Sequence, residues 1–139
     1  MKATLIAPAI AVVLLAACAA AGYRSGCYEV LVGCLDVDLA GGSWSFGGLC
    51  IEKLHESCPD LKDFKFEAGV DRNGNGTLDP DERTIHIDDP NPGSVACAGA
   101  GAGELGPDDK GRKILYHYEC SKGDESRPFV SKNGEKEVE

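Results

Sequence analysis

The apolar residues of the chain recur mainly at every second position from residue 27 onward, the spacing of a β-strand with one buried face. In the clearest case, Phe64, Phe66 and Ala68 alternate with Lys65 and Glu67. Similar alternation between turn residues marks further predicted strands at residues 28–32, 44–46, 49–54, 85–87 and 114–118. The pattern predicts a mainly β fold, a small antiparallel sandwich or barrel of about six strands.

The beginning of the chain lacks this alternation and has the composition of a signal peptide. Met1 and Lys2 form a short positive start, and residues 3–17 carry no charge and are rich in Ala, Leu, Ile and Val. A membrane-spanning helix needs about 20 apolar residues, whereas this run is shorter and contains Pro8. Residues 1–17 are therefore predicted to be a signal peptide that is removed on export.

The sequence Leu15-Ala16-Ala17-Cys18 resembles the lipobox of bacterial lipoproteins, an aliphatic residue and two small residues before a cysteine. The resemblance implies cleavage before Cys18 and a lipid on its thiol, which anchors the protein to a membrane of the bacterial cell envelope. Ala19, rather than Asp, after that cysteine implies the outer membrane in a cell with two membranes. The alternative is an ordinary secretory signal that happens to contain a cysteine.

The charge of the chain argues against binding to nucleic acid. Once Lys2 is removed with the signal peptide, 13 basic and 23 acidic residues remain, a net charge of −10. Phosphate backbones and anionic lipid headgroups repel such a chain. The predicted partner is therefore the membrane itself, reached through the lipid on Cys18, and a protein partner stays open.

The chain has seven cysteines, an odd number for an exported protein until Cys18 is assigned to the lipid. Six cysteines in an oxidising compartment predict three disulfides, although the sequence permits 15 pairings. Pairing in sequential order is our preferred prediction, and a zinc site is disfavoured because no pair has C-x₂-C spacing. The six are Cys27, Cys34, Cys50, Cys58, Cys97 and Cys120.

Residues 71–82, DRNGNGTLDPDE, place oxygen-bearing side chains at alternate positions around a glycine and end on a glutamate. This resembles the calcium-binding loop of EF-hand proteins along its whole length. The resemblance implies a sharp turn at Gly76 and an apolar Leu78 that points away from the ion. The implied calcium ligands are Asp71, Asn73, Asn75, Thr77 (through its carbonyl), Asp79 and Glu82.

The same residues contain two Asn-Gly dipeptides, so the alternative is a plain hairpin turn between two strands. The flanking residues also favour strands rather than the two long helices of a regulatory EF-hand, and there is one loop rather than a pair. The sequence therefore predicts a structural calcium ion rather than a switch. Because only Asp71, Asp79 and Glu82 among the implied ligands carry formal charge, we expect weak binding, with a dissociation constant of about 10⁻⁴ to 10⁻³ M.

The predicted organisation is one small domain with flexible ends. Residues 18–26 are a tether after the lipid, 27–120 the calcium-binding β domain, and 121–139 a charged flexible tail. Within the domain, the Gly- and Ala-rich residues 98–111 are expected to be poorly ordered.

The three histidines, His55, His86 and His117, lie in no recognised catalytic motif, and the predicted function is noncatalytic. The protein is then a calcium-binding envelope lipoprotein that presents a surface to a partner. The alternative is a small membrane-anchored hydrolase or hydrolase inhibitor. A pocket that holds His55 or His117 beside a carboxylate and a hydroxyl would favour this alternative.

Overall fold

The computed structural model describes residues 21–139 and contains no α-helix in that range, only strands and two short 3₁₀ turns. The predicted signal peptide and the lipobox-like motif lie outside the described residues. The strands are β1 (Ala21–Ser25), β2 (Tyr28–Val32), β3 (Leu35–Asp38), β4 (Ser43–Phe46), β5 (Leu49–Lys53), β6 (Leu61–Asp71), β7 (Arg83–Asp89), β8 (Val95–Ala98), β9 (Gly101–Glu104), β10 (Lys113–Lys122) and β11 (Val130–Glu137). The 3₁₀ turns are Pro80–Glu82 and Pro107–Asp109.

The strands form three sheets, and every strand pair is antiparallel. The first sheet has the order β1-β2-β5-β8, the second β11-β10-β6-β7, and the third β3-β4-β9. The mainly β, antiparallel prediction is confirmed, with open sheets rather than one closed barrel.

One hydrophobic core joins the three sheets, because the inward positions of their strands alternate as the sequence predicts. Trp44 and Phe46 of the third sheet are buried, and the Phe46 ring lies 4.9 Å from Phe66 and 5.3 Å from Tyr116 of the second sheet. Aromatic rings in contact at such distances add to the free energy gained from burial. The first sheet contributes Tyr28, Val30, Val32, Leu49 and Ile51 to the same core.

Three segments expected to be flexible instead form strands. β11 lies in the predicted tail, β9 in the Gly- and Ala-rich segment, and β1 in the predicted tether. β11 pairs with β10 from Val130 to Glu137, yet it shows little apolar alternation because it is an edge strand. The ring of Tyr116 lies where a side chain at Gly134 would stand, so the neighbouring strand supplies the apolar surface.

The preferred cysteine pairing is wrong, because the sheets place other cysteines opposite each other. Cys50 of β5 faces Cys97 of β8 and is bonded to it, with their Cα atoms 4.2 Å apart. Cys27, in the turn before β2, is bonded to Cys58 in the connection from β5 to β6, and Cys34 is also in a disulfide. Cys120, predicted to be oxidised, is a free and fully buried thiol.

Candidate metal centre

The loop predicted to bind calcium connects β6, which ends at Asp71, to β7, which begins at Arg83. A register shift between Ala68 and Gly69 bends β6 just before the loop. A Cβ atom on Gly69 would overlap the carbonyl oxygen of Glu82, so the last residue of the loop lies directly against this strand. Glycine at position 69 therefore lets the two ends of the loop meet.

The Asn-Gly repeat folds through hydrogen bonds from the backbone to its own side chains. The Asn73 side-chain oxygen accepts a hydrogen bond from the Asn75 N–H at 3.1 Å, and the Asn75 oxygen accepts one from the Thr77 N–H at 3.0 Å. Gly74 and Gly76 adopt φ values of 71° and 84°, a region that glycine enters without steric cost. This arrangement is a pair of Asx turns.

Glu82 closes the loop by accepting backbone hydrogen bonds from both of its ends. Its Oε2 accepts the N–H groups of Arg72 at 2.8 Å and Asn73 at 3.2 Å, and its Oε1 accepts the N–H of Asp79 at 2.9 Å. The Asp79–Glu82 contact caps the start of the 3₁₀ turn Pro80–Glu82. The carboxylate is buried and points at the backbone of the loop.

The two aspartates among the predicted ligands, Asp71 and Asp79, differ in how their oxygens are satisfied. Asp79 accepts hydrogen bonds from the side-chain amides of Asn73 and Asn75. Asp71 is only 5 % exposed, and its Oδ2 accepts the N–H of Gly76 at 2.8 Å. Its Oδ1 is buried without a hydrogen-bond partner. A buried carboxylate oxygen without a donor is costly, so this atom points to a missing positive partner.

Five of the six predicted ligand residues are thus joined by side-chain hydrogen bonds, while Thr77 takes part through its backbone N–H. Within residues 21–139, no group of three or more His, Cys, Asp and Glu side chains is placed to hold a metal ion. The carboxylates of the loop do not converge on one point, because Glu82 faces backbone N–H groups and Asp79 faces the asparagine amides. The flanking elements are β6 and β7, as the departure from the EF-hand pattern predicts.

Sequence reasoning missed a charged cluster beside the loop. Asp109, one of the 23 acidic residues of the chain, is 2 % exposed and contacts both Arg72 and Arg112. Arg112 also donates a hydrogen bond from Nη1 to the carbonyl oxygen of Arg72. No local motif marks these residues, because they come together only when β10 begins beside the end of β6.

The outer face of the second sheet carries two neighbouring surface cavities next to the loop. The larger, about 470 Å³, is lined by Thr77 and Leu78 of the loop and by Leu115, His117 and Glu67 of the sheet, among others. The smaller, about 290 Å³, shares Glu67 and His117. His117 Nδ1 lies 2.7 Å from the Asn133 side-chain oxygen, and Glu67 is paired with Arg83 at 2.7 Å.

No protein-family model matches the chain, and no curated protein matches it. Residues 21–139 include no helix with the length and hydrophobicity needed to cross a membrane.

Proposed function

We propose that the protein is a noncatalytic, calcium-binding lipoprotein of the bacterial cell envelope that holds one structural calcium ion in residues 71–82. The observation that carries the calcium assignment is the buried Oδ1 atom of Asp71, which has no hydrogen-bond partner. It belongs to the first residue of the loop, which the EF-hand resemblance makes a calcium ligand. A calcium ion would neutralise it.

The residue set suits a hard cation. Calcium takes six to eight oxygen ligands, and the loop offers carboxylates from Asp71, Asp79 and Glu82, amide oxygens from Asn73 and Asn75, and the Thr77 carbonyl. In the described conformation, backbone and amide N–H groups occupy Asp79 and Glu82. Binding therefore exchanges hydrogen bonds for ion contacts, a cost that agrees with a dissociation constant of about 10⁻⁴ to 10⁻³ M.

The proposed role of the ion is to fix the connection between β6 and β7. Both strands are paired along their length in the second sheet, so the loop has no hinged helices to open. The expected consequence of binding is greater stability rather than exposure of a groove.

A thermal melt in calcium against a melt in chelator tests the site. If calcium binds only the folded chain, a hundredfold excess over Kd stabilises it by about 2.7 kcal/mol, which corresponds to about 10 °C in a domain of this size. Asp71→Asn should abolish the gain, because it removes the charge that lacks a partner. Asp124→Asn, an exposed acid outside the loop, should keep it. Magnesium should substitute poorly because it holds its waters more tightly. If the wild type gives identical melting curves in calcium and in chelator, the loop is a plain hairpin turn that binds no calcium.

The lipid anchor is proposed from the motif at residues 15–18 alone, and the disulfide of Cys34 offers a direct test of it. A sulfur atom that carries lipid through a thioether cannot also form a disulfide, so Cys18 cannot be both lipidated and bonded to Cys34. Intact-mass analysis of protein from the membrane fraction should show the added mass of the lipid on a chain that begins at Cys18. A non-reduced digest that links the Cys18 and Cys34 peptides would contradict the anchor while leaving the calcium proposal intact.

A small hydrolase or hydrolase inhibitor on the same anchor is the second candidate, and one observation favours it. The larger cavity brings His117 together with the carboxylate of Glu67 and the hydroxyl of Thr77. The ring of His117, however, is held by Asn133, and Glu67 is held by Arg83. Hydrolysis of p-nitrophenyl acetate that His117→Ala abolishes and His55→Ala leaves unchanged would support this candidate over the noncatalytic one.

A further inference from the structure

Asp109 occupies the 3₁₀ turn Pro107–Asp109, far along the sequence from the calcium loop. Its buried carboxylate accepts hydrogen bonds from Arg72 Nη1 at 3.0 and 3.2 Å and from the Gly106 N–H at 2.8 Å. Arg112 Nε lies 3.5 Å from the same carboxylate. A single buried side chain therefore holds two arginines that come from different strand ends.

Arg72 follows Asp71 directly, and it is restrained at three points, once by Glu82 of the loop and twice by the charged cluster. Its N–H donates to Glu82 Oε2 at 2.8 Å, its carbonyl oxygen accepts a hydrogen bond from Arg112, and its guanidinium is bound by Asp109. Fixing the peptide groups on either side of position 72 also fixes the chain at Asp71 and Asn73. These two residues are the first and third positions of the loop.

We propose that Asp109 is a positioning residue that sets the calcium affinity of the loop by holding Arg72 and Arg112 against its backbone. This inference rests on the proposed function, because it concerns the same site. Asp109 does not touch the ion. It restricts the backbone at the first and third positions of the loop, so that less of the binding free energy is lost to ordering the loop.

Asp109 could affect calcium binding through its charge or by positioning the loop backbone. The two explanations predict different changes in calcium affinity when Arg112 is replaced. Two arginines beside a cation site oppose binding, and Asp109 offsets part of their charge. Removal of the Arg112 charge should then tighten calcium binding if charge dominates. If positioning dominates, Arg112→Met should weaken binding even though it removes a positive charge, because the hydrogen bond to the Arg72 carbonyl is lost.

The experiment is isothermal calcium titration of the purified full chain and four variants at constant ionic strength. We expect Asp109→Asn to raise Kd about tenfold, equivalent to 1.4 kcal/mol, and Arg112→Met to raise it in the same direction. Arg112→Lys should have a smaller effect because it keeps a donor and the charge. Asp108→Asn is the matched control, since it removes an acidic charge from an exposed neighbour and should leave Kd unchanged.

The outcomes separate this inference from the calcium proposal itself. A wild-type chain that does not bind calcium overturns the proposed function. A wild type that binds, with Asp109→Asn and Arg112→Met binding equally well, overturns the positioning role alone, as does tighter binding by Arg112→Met. Arg112 is 37 % exposed, so its variants should fold even if Asp109→Asn does not. A merely structural role would lower the melting temperature equally in calcium and in chelator and leave Kd unchanged.

Discussion

The first and second sheets are stabilised by different means. The first sheet has strands of four or five residues, and both Cys27–Cys58 and Cys50–Cys97 tie it together. The second sheet is built around β6 and β10, of 11 and 10 residues, and its own cysteine, Cys120, is reduced. Each short strand buries little surface, so the first sheet depends on its disulfides for stability. Long strands gain enough from pairing and core contacts to hold together through hydrogen-bonded connections such as residues 71–82.

The largest expected effect follows from this difference and concerns the disulfide inside the first sheet. Replacement of both Cys50 and Cys97 by alanine reopens a connection that spans 47 residues. The chain-entropy estimate for a closed loop of this length is about 4 kcal/mol, a large part of the 5–15 kcal/mol that stabilises a typical domain. Urea unfolding should show this loss as a fall in the midpoint.

The matched control is Cys120→Ala, which changes the cysteine of the second sheet without opening a covalent connection. This variant removes one buried sulfur and should lose less than half as much stability at neutral pH. If the two changes cost the same, the contrast between the sheets would be incorrect.

The second effect concerns the hydrogen-bonded closure of the second sheet. Gly69→Ala places a Cβ atom on the carbonyl oxygen of Glu82, so the end of the loop must move away from β6. Overpacking against backbone costs up to about 3 kcal/mol, and we expect the calcium response to be lost as well. Gly99→Ala is the control, because a Cβ there meets nothing within 4 Å. Thermal melts with and without calcium measure both effects, and a Gly69→Ala chain with normal stability would show that the loop does not close on β6.

The third effect tests whether the end of the chain belongs to the second sheet. Val138, just after β11, is fully buried, and its N–H donates to the Arg112 carbonyl at 2.8 Å. Val138→Ala should cost about 2 kcal/mol through lost burial and a small cavity. Val95→Ala in the first sheet should cost far less, since Val95 is 45 % exposed. If Val138→Ala and Val95→Ala unfold at the same urea concentration, the end of the chain is a flexible tail after all.

Sequence alternation predicted the strands that face the core and failed where the neighbouring strand supplies the apolar surface. The sequence predicts β6 correctly because the side chains of Phe64, Phe66 and Ala68 enter the core. β11 is a charged edge strand whose Gly134 lies under the Tyr116 ring, and no local pattern reveals such a partner. Disulfide pairing failed for the same reason, because Cys50 meets Cys97 only through the register of β5 and β8.

For the candidate site, the loop residues were found by spacing because all of them lie within 12 consecutive positions. The sequence predicts only part of the conformation of this loop. The Asx turns follow from the Asn-Gly repeat, whereas the Glu82 contacts with the backbone depend on the bulge at Gly69. Asp109 could not be found, since its burial depends on where β10 starts relative to β6.

The smallest expected effect concerns the reduced cysteine of the second sheet. Cys120 Sγ lies 3.5 Å from the carbonyl oxygens of Lys62 and Ser121, and burial raises the pKa of its thiol to about 11.

A thiol with a raised pKa keeps its proton in the folded chain after the unfolded chain has lost it. The contribution of Cys120 is therefore unchanged below pH 9, the ordinary value for this group, and stability falls as pH rises from 9 toward 11. At pH 10 the loss is about 1.4 kcal/mol, one pKa unit of differential protonation. Unfolding in urea at pH 8 and pH 10 should show this decrease in the wild type and a smaller one in Cys120→Ala. Alkylation should modify Cys120 in denaturant and leave it unmodified in the folded protein, because its thiol is buried and protonated. Rapid alkylation of Cys120 in the folded chain would show that the second sheet opens there, and its long strands would then not secure it as firmly as the disulfides secure the first.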